Sequence, residues 1–199
     1  MKPQHILAID TNIFRNMLGF HLEEAAVDNH DLVLMQREGL ETNTAYRQLI
    51  SYTIIRHDQK FLAYARTTSA GEARLHGQVS IGFGGHVDLE DCVHVDSVLD
   101  LEATALNAAH RELGEELTLG LTEGLRVTNK YIISMVTETD QVHAGALSIM
   151  DVIDEAATAK EDQIEILGWF TRDELLAQFA DRLESWSYGL LEEGQAIYG

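Results

Sequence analysis

The stretch Arg111-Glu112-Leu113-Gly114-Glu115-Glu116, with the glycine pair Gly84-Gly85 ahead of it, decides how this chain is read. On a helix turning about 100° per residue, Glu112, Glu115 and Glu116 fall within an arc of roughly 100°. Carboxylates crowded there repel one another, since like charges four residues apart destabilise a helix. A hard divalent cation turns that repulsion into a binding site, because Mg²⁺ takes oxygen ligands and keeps positions open for water and phosphate. Arg111 stands one turn before Glu115 and is placed to hold its carboxylate. The competing reading is an acidic face turned to solvent, common in a chain with 33 Asp and Glu residues. Leu106, Ala109, Leu113 and Leu117 form an apolar stripe on a neighbouring flank. They predict a helix with one flank against a sheet and the acidic flank toward a cleft, Ala105 and Ala108 leaving room there for a ligand. A solvated face more often carries Lys or Arg partners one turn on, and Arg111 is the one basic partner here.

Working back from the helix, Val79-Ser80-Ile81-Gly82-Phe83-Gly84-Gly85-His86-Val87 reads as a strand running into a paired glycine. Such a pair lets the backbone turn sharply and come close to a ligand where a side chain would obstruct. At these residues the sequence resembles the Nudix (MutT-like) hydrolases, whose signature is a paired glycine, a loop, and a helix reading Arg-Glu-apolar-any-Glu-Glu. Arg111, Glu112, Leu113, Glu115 and Glu116 match it, and Ala108-Ala109 before the arginine is usual there. Three departures stand out. Thr118 occupies the place of the glycine that normally follows the last glutamate, with Gly120 the nearest glycine. Ala103 occupies the place of the usual first glutamate, with Glu102 one place off, so Glu102 or Asp100 is expected to take its structural role at the helix start. The segment from Gly85 to Arg111 is also longer than in the compact signature. The chain looks like a long-loop branch of predicted phosphoesterases, echoed in Gln48-Leu49-Ile50-Ser51-Tyr52, Arg74-Leu75-His76-Gly77 and Gly84-Gly85-His86.

The resemblance implies an α+β fold, the Nudix α/β/α sandwich with a mixed sheet between helices. Residues 1–47 are expected to form an N-terminal extension packed on a Nudix domain of residues 48–199. Carried over residue by residue, it implies that Glu112, Glu115 and Glu116 bind Mg²⁺, with Mn²⁺ as a substitute, that Gly85 adds a backbone carbonyl, and that Arg111 orients the glutamates. The implied chemistry is attack of a metal-activated water on a diphosphate linkage in a nucleoside diphosphate derivative or related small phosphorylated metabolite. The general base differs between Nudix subfamilies: Glu112 stands first, with Glu138, Asp140, Glu161 or Asp162 from a later loop as the alternative. Arg66, Arg74 and His86 are candidate phosphate contacts, each set against a structural role. Two other readings keep the fold. Isopentenyl diphosphate isomerisation needs a reactive cysteine, for which Cys92 in the insertion is poor support. A non-catalytic nucleotide-binding regulatory module usually loses the acidic helix residues, which are all present here.

Size and composition bound these readings. At 199 residues the chain is long enough for one domain with a sizeable core. No apolar run approaches the ~20 residues of a membrane span, and the N-terminus lacks a basic-then-apolar signal, so a cytoplasmic location is the default expectation. A single cysteine excludes disulfides within the chain and multi-cysteine zinc sites. The net charge of −19 argues against binding duplex nucleic acid or an anionic membrane. It leaves room for a small phosphorylated substrate, because a bound cation and a few arginines reverse the field inside one cleft.

Along the rest of the chain, Ile6–Ile9 reads as a short strand and Asp10-Thr11-Asn12 as a turn or helix start, while His21 to Asp31 shows no clear period. Ser51–Arg56 and Phe61–Arg66 read as a hairpin across His57-Asp58-Gln59-Lys60. The insertion, Asp88–Leu99, suggests a short ribbon from Val93, Val95 and Val98, expected to act as a lid or a homodimer contact. Arg126–Thr137 and Gln141–Ile153 form a second hairpin, Asp154–Asp162 a loop or short helical turn, and Ile164–Phe170 a strand. Thr171-Arg172-Asp173-Glu174 is a capping box opening a helix, with Leu175, Leu176, Phe179 and Leu183 as its buried face. Glu184–Tyr198 is expected to be helical, and Trp169 and Trp186 to be core.

Overall fold

The computed structural model describes residues 4–14, 17–67, 77–193 and 197. Arg74, one of the expected phosphate contacts, lies outside the described residues, as do Leu75 and His76. Among the described residues, fourteen strands and three α-helices follow in the order β1 (His5–Asp10), β2 (Phe20–Glu24), β3 (Leu32–Gln36), β4 (Tyr46–His57), β5 (Lys60–Arg66), β6 (Val79–Ser80), β7 (Gly82–Phe83), β8 (Val93–Val95), β9 (Val98–Asp100), α1 (Leu101–Glu116), β10 (Leu117–Leu119), β11 (Thr122–Ser134), β12 (His143–Val152), β13 (Ala157–Ala159), β14 (Ile164–Thr171), α2 (Arg172–Phe179) and α3 (Ser185–Glu193).

The sheet is organised around β4. One edge of β4 pairs in parallel with β12 from Gln48↔His143 to Arg56↔Asp151, and β12 continues antiparallel into β11 and then β2. Its other edge is shared by four pieces of chain. β1 takes Tyr46–Gln48, the segment after the glycine pair takes the next residues through Ser51 N–H to Gly85 O and Val87 N–H to Leu49 O, β7 takes Thr53 and Ile54, and β5 takes Arg56 and His57. The result is a mixed ten-stranded sheet to which β1, β2 and β3 all belong. The β4–β5 hairpin closes on Asp58-Gln59, where Asp58 adopts φ 52°, a left-handed conformation that Asp tolerates better than most residues.

β4 is buried on both faces, as a strand with helices above and below it must be. Toward α1 it presents Leu49, which packs with Ala105 and Ala108, and Ile55, which packs with Leu113 and Leu117. Toward α3 it presents Tyr52 and Ile54, packed with Trp186, Leu190 and Leu191 and with Leu175 of α2. Burial of Leu113 alone contributes about 1.5–3 kcal/mol to the docking of α1. The fold is thus the expected α+β sandwich, a mixed sheet between helices.

Four local expectations change. Ala105 and Ala108 are buried in the core rather than opening space for a ligand; small residues there let α1 lie close on the sheet and carry Glu112 and Glu116 down toward it. Residues in His21–Asp31 that lack a period form β2, whose alternation is hidden because Phe20 to Glu23 are all only partly buried and Glu24 is exposed. The segment read as a loop or turn after Asp154 contains β13, which pairs with β10 straight after α1. That pairing also explains Thr118 in place of glycine: α1 passes directly into a strand at Leu117, whose N–H still bonds Leu113 O, so no left-handed cap is required. The helix read from Thr171 ends at Phe179, so Leu183 lies beyond α2.

Candidate active site

The helix that carries the acidic residues begins at Asp100, whose side chain caps it by accepting from Ala103 N–H at 3.0 Å. Glu102 is exposed. Asp100 thus takes the capping role expected at the helix start, while the acid that holds Arg111 comes from the insertion. Asp91, 3% exposed, receives Arg111 Nε at 2.9 Å and Arg111 Nη2 at 2.8 Å in a two-pronged pair. Asp91 is itself fixed by a short turn, Leu89–Asp91, in which Asp88 N–H donates to its Oδ2 at 2.8 Å. Arg111 then donates from Nη1 to Glu112 Oε1 at 2.7 Å and from Nη2 to His86 O at 2.9 Å, with Glu115 Oε2 3.5 Å from Nη1. One guanidinium therefore ties together the insertion, the segment after the glycine pair and the acidic turn of α1. Sequence reasoning missed Asp91. The one available signal is Asp88-Leu89-Glu90-Asp91, a capping-box pattern in a segment whose acids and histidines match no metal-ligand spacing.

The glycine pair meets the helix closely. A Cβ on Gly85 would lie 2.7 Å from Glu112 Oε1, and one on Gly84, whose φ is +144°, would lie 1.9 Å from Ser51 O. Gly84 excludes a side chain by both sterics and backbone conformation, whereas a side chain at Gly85 would displace the Glu112 carboxylate. The Gly85 carbonyl accepts Ser51 N–H at 2.8 Å, leaving one lone pair for a further partner.

The three glutamates occupy three environments. Burial raises the Glu112 pKa, with Arg111 opposing. Glu115 is more than half exposed. Glu116 is the most perturbed: burial, with Glu112 adding to it and Arg66 opposing, pushes its pKa up to about 8. Its Oε2 is buried without a hydrogen-bond partner. A buried carboxylate oxygen with no donor costs free energy, and hard oxygen donors on one helical turn are what Mg²⁺ takes, so the donor set fits a divalent cation. Among the described residues, the set of three ligand groups lying within 4.8 Å of one another is Asp28, His30 and Asp31 rather than the three helix glutamates. That surface set is accounted for by its own turn, in which Asp31 Oδ2 accepts Asp28 N–H at 2.9 Å and Asp31 Oδ1 lies 3.3 Å from His30 Nε2.

Beside Gly84-Gly85 opens a cavity of about 660 Å³, lined among others by Arg66, His86, His143 and Tyr52. Arg66 stands over the Tyr64 ring at 5.7 Å, within electrostatic reach of Glu116 and of Glu184 at the start of α3. His86 hydrogen-bonds Gln48 Oε1 through Nε2 at 2.8 Å; burial, with Arg37, His143 and Arg111 adding, holds its pKa down to about 3 and the ring neutral. Of the later-loop acids, Glu138, Glu161 and Asp162 are exposed. Asp140 is buried and committed to the fold, accepting from Ser134 Oγ, Thr137 N–H and Ser185 Oγ. Cys92 is half-buried, and burial raises its thiol pKa, away from reactivity.

A mixed sheet between helices, with a glycine corner set against a glutamate helix, is the Nudix fold. The solved structure of Tm1382, provisionally described as a Nudix hydrolase, superposes with a TM-score of 0.70 over 98% of both chains at 23% identity. DR0079 from Deinococcus radiodurans superposes with a TM-score of 0.51 over 96% of this chain and 99% of its own, at 18% identity. These likenesses establish the fold. No protein-family model matches the chain. Protein YmaB of Bacillus subtilis (strain 168) is 30% identical over 157 residues, which are 77% of this chain and 73% of YmaB. The chain belongs to one family with YmaB, built on the Nudix fold. No described helix is long and apolar enough to cross a membrane.

Proposed function

We propose that the protein is a divalent-metal-dependent hydrolase that cleaves a diphosphate linkage in a nucleoside diphosphate derivative or a related small phosphorylated metabolite. The observation that carries this reading is the Arg111 clamp. It presses the Glu112 carboxylate against Gly85 while Glu116, one turn on, keeps a buried oxygen without a donor. An acidic face evolved only for solubility needs neither feature.

Glu112, Glu115, Glu116 and the second lone pair of the Gly85 carbonyl would hold Mg²⁺ or Mn²⁺. When bound, such an ion supplies a water of lowered pKa and positive charge to offset that developing on the leaving phosphate. The chain's own residues do the rest. Arg111 and Asp91 fix the glutamates before substrate arrives, so little reorganisation remains for the reaction itself. Glu112 is assigned as the group that takes the proton from the attacking water, on its position against the glycine corner. Arg66 is assigned to a phosphate oxygen, entering from the cavity side. His86, a neutral ring held by Gln48, shapes that wall, and its carbonyl anchors Arg111. We assign the protein to the cell interior, with a small phosphorylated molecule as its partner.

The test is phosphate release from nucleoside triphosphates, dinucleoside polyphosphates, ADP-ribose and NADH, with phosphatase coupling, with and without Mg²⁺. Turnover that requires metal and disappears in the Glu115→Gln, Glu116→Gln double variant is the expected result. Binding of one of these compounds without turnover of any would instead identify a nucleotide-binding module.

A further inference from the structure

The cavity beside the glycine corner contains a feature that metal and phosphate chemistry leaves unused. Glu184 lines it, and one of its two carboxylate oxygens is fully committed to the protein. Oε1 receives Tyr52 Oη at 2.7 Å, Ser80 Oγ at 2.6 Å and Ser187 Oγ at 3.0 Å, hydroxyls from β4, β6 and α3. Ser187 Oγ is positioned in turn by Ile81 N–H at 3.0 Å. Burial keeps the Tyr52 phenol protonated, so it remains a donor. None of these bonds uses Oε2. The Glu184 backbone is pinned as well, its N–H bonding Val79 O at 3.0 Å. The result is a preorganised acceptor, held by one oxygen and presenting the other.

The other acids of the lining have partners that account for them. Glu41 pairs with Arg37 Nε at 3.1 Å, and Asp140 is filled by Ser134, Thr137 and Ser185. A fixed carboxylate repels phosphate, so in a diphosphate site it must meet the uncharged part of the ligand, as an acceptor. Arg66 lies within reach of both Glu116 and Glu184. A diphosphate bound between Arg66 and the glutamate helix therefore directs its organic substituent toward Glu184. A volume of about 660 Å³ accommodates a ligand the size of a nucleotide. Gln78 and Gln163 line the same space with both donors and acceptors.

We propose that Glu184 is a specificity-determining residue whose Oε2 accepts a hydrogen bond from a sugar hydroxyl, selecting sugar-bearing diphosphates over inorganic or alkyl diphosphates. This rests on the diphosphate reading given above. Glu184→Gln is a near-isosteric test: Oε1 continues to accept the three hydroxyls while Oε2 becomes a donor. Calorimetric titration in Mg²⁺ would compare the α,β-methylene analogues of ADP-ribose and UDP-glucose with methylenediphosphonate, which has the bridge and no sugar. We expect the wild-type protein to bind at least one sugar-bearing analogue more tightly than methylenediphosphonate. Glu184→Gln should weaken that analogue at least tenfold and methylenediphosphonate less than twofold. Tyr52→Phe, which removes one of the three donors to Oε1, should cause a smaller loss confined to the sugar-bearing ligand. Equal effects of Glu184→Gln on both ligand types, or no effect on either, would overturn the proposal. So would wild-type binding of methylenediphosphonate with no gain from the sugar. Binding of none of the three would refute the diphosphate reading itself, and this proposal with it.

Discussion

Arg111 has five donors in a rigid fork, and four of its hydrogen bonds reach three separate pieces of chain: Asp91, His86 O and Glu112. The pairing with Asp91 holds the guanidinium further in the charged form, beyond its ordinary value. Lysine cannot reproduce this fork. The two-pronged partner of Arg111, Asp91, comes from the insertion, which makes the insertion part of the site rather than an appendage. Asp91→Asn tests that directly. It keeps the shape but removes a charged acceptor from a buried pair, so we expect a stability loss of about 2 kcal/mol, the scale of a hydrogen bond to a charged group. Phosphate-release activity should fall about tenfold, one decade being roughly 1.4 kcal/mol of transition-state stabilisation. Urea unfolding and kcat/KM would be measured on the same preparations, and Asp91→Glu should recover part of both. Activity left at the wild-type level in Asp91→Asn would show that Arg111 orients Glu112 without help.

At the scale of elements, the glycine corner and α1 act as one unit, and two neighbouring substitutions separate folding from function. Gly84→Ala drives a methyl into the Ser51 carbonyl at a backbone conformation unfavourable to alanine. Strain and clash of this kind cost several kcal/mol, about 3 or more, so the expected result is a protein largely unfolded or strongly destabilised in urea. Gly85→Ala meets the far end of a flexible side chain, Glu112 Oε1. We expect it to unfold within about 1 kcal/mol of wild type, on the scale of ordinary surface changes, yet to lose metal-dependent turnover because the carboxylate is displaced. Similar activity in Gly85→Ala and wild type would remove Glu112 from the site. These contacts were partly legible in the chain. Period and composition revealed the acidic helix, the β4–β5 and β11–β12 hairpins, the Thr171 cap and the small ribbon β8–β9. What stayed hidden has physical causes. β2 is edge-like and half-buried, so its alternation is blurred. β13 is three residues long and exists because β10 is there to pair with it. Asp91 and Glu184 are meaningful only through partners 20 and 132 residues away in the chain, Arg111 and Tyr52, and no local pattern records a distant partner.

At the scale of the whole molecule, a net charge of −19 surrounds a site proposed to receive polyanions. Two fields compete at the cavity: the repulsion of the acidic surface, and the attraction of Arg37 and Arg66 in the lining together with any bound cation. Their ranges differ. Surface repulsion acts over the Debye length, about 10 Å at 0.1 M salt and about 3 Å at 1 M, so it is felt mainly during approach. The arginines act at contact, where screening is weak. Raising monovalent salt from low to moderate concentration should therefore relieve the repulsion and leave the contacts largely intact. The expected outcome is a kcat/KM for an anionic diphosphate substrate that rises two- to several-fold with salt, with kcat little changed, since steering affects encounter rather than the bound state. Mg²⁺ must be saturating throughout, because salt also competes with metal for the carboxylates. A basic-surfaced enzyme would show the opposite slope. A fall in kcat/KM under metal saturation would mean that Arg37 and Arg66 dominate the approach as well as the contact, and that the acidic excess lies on faces remote from the cavity mouth.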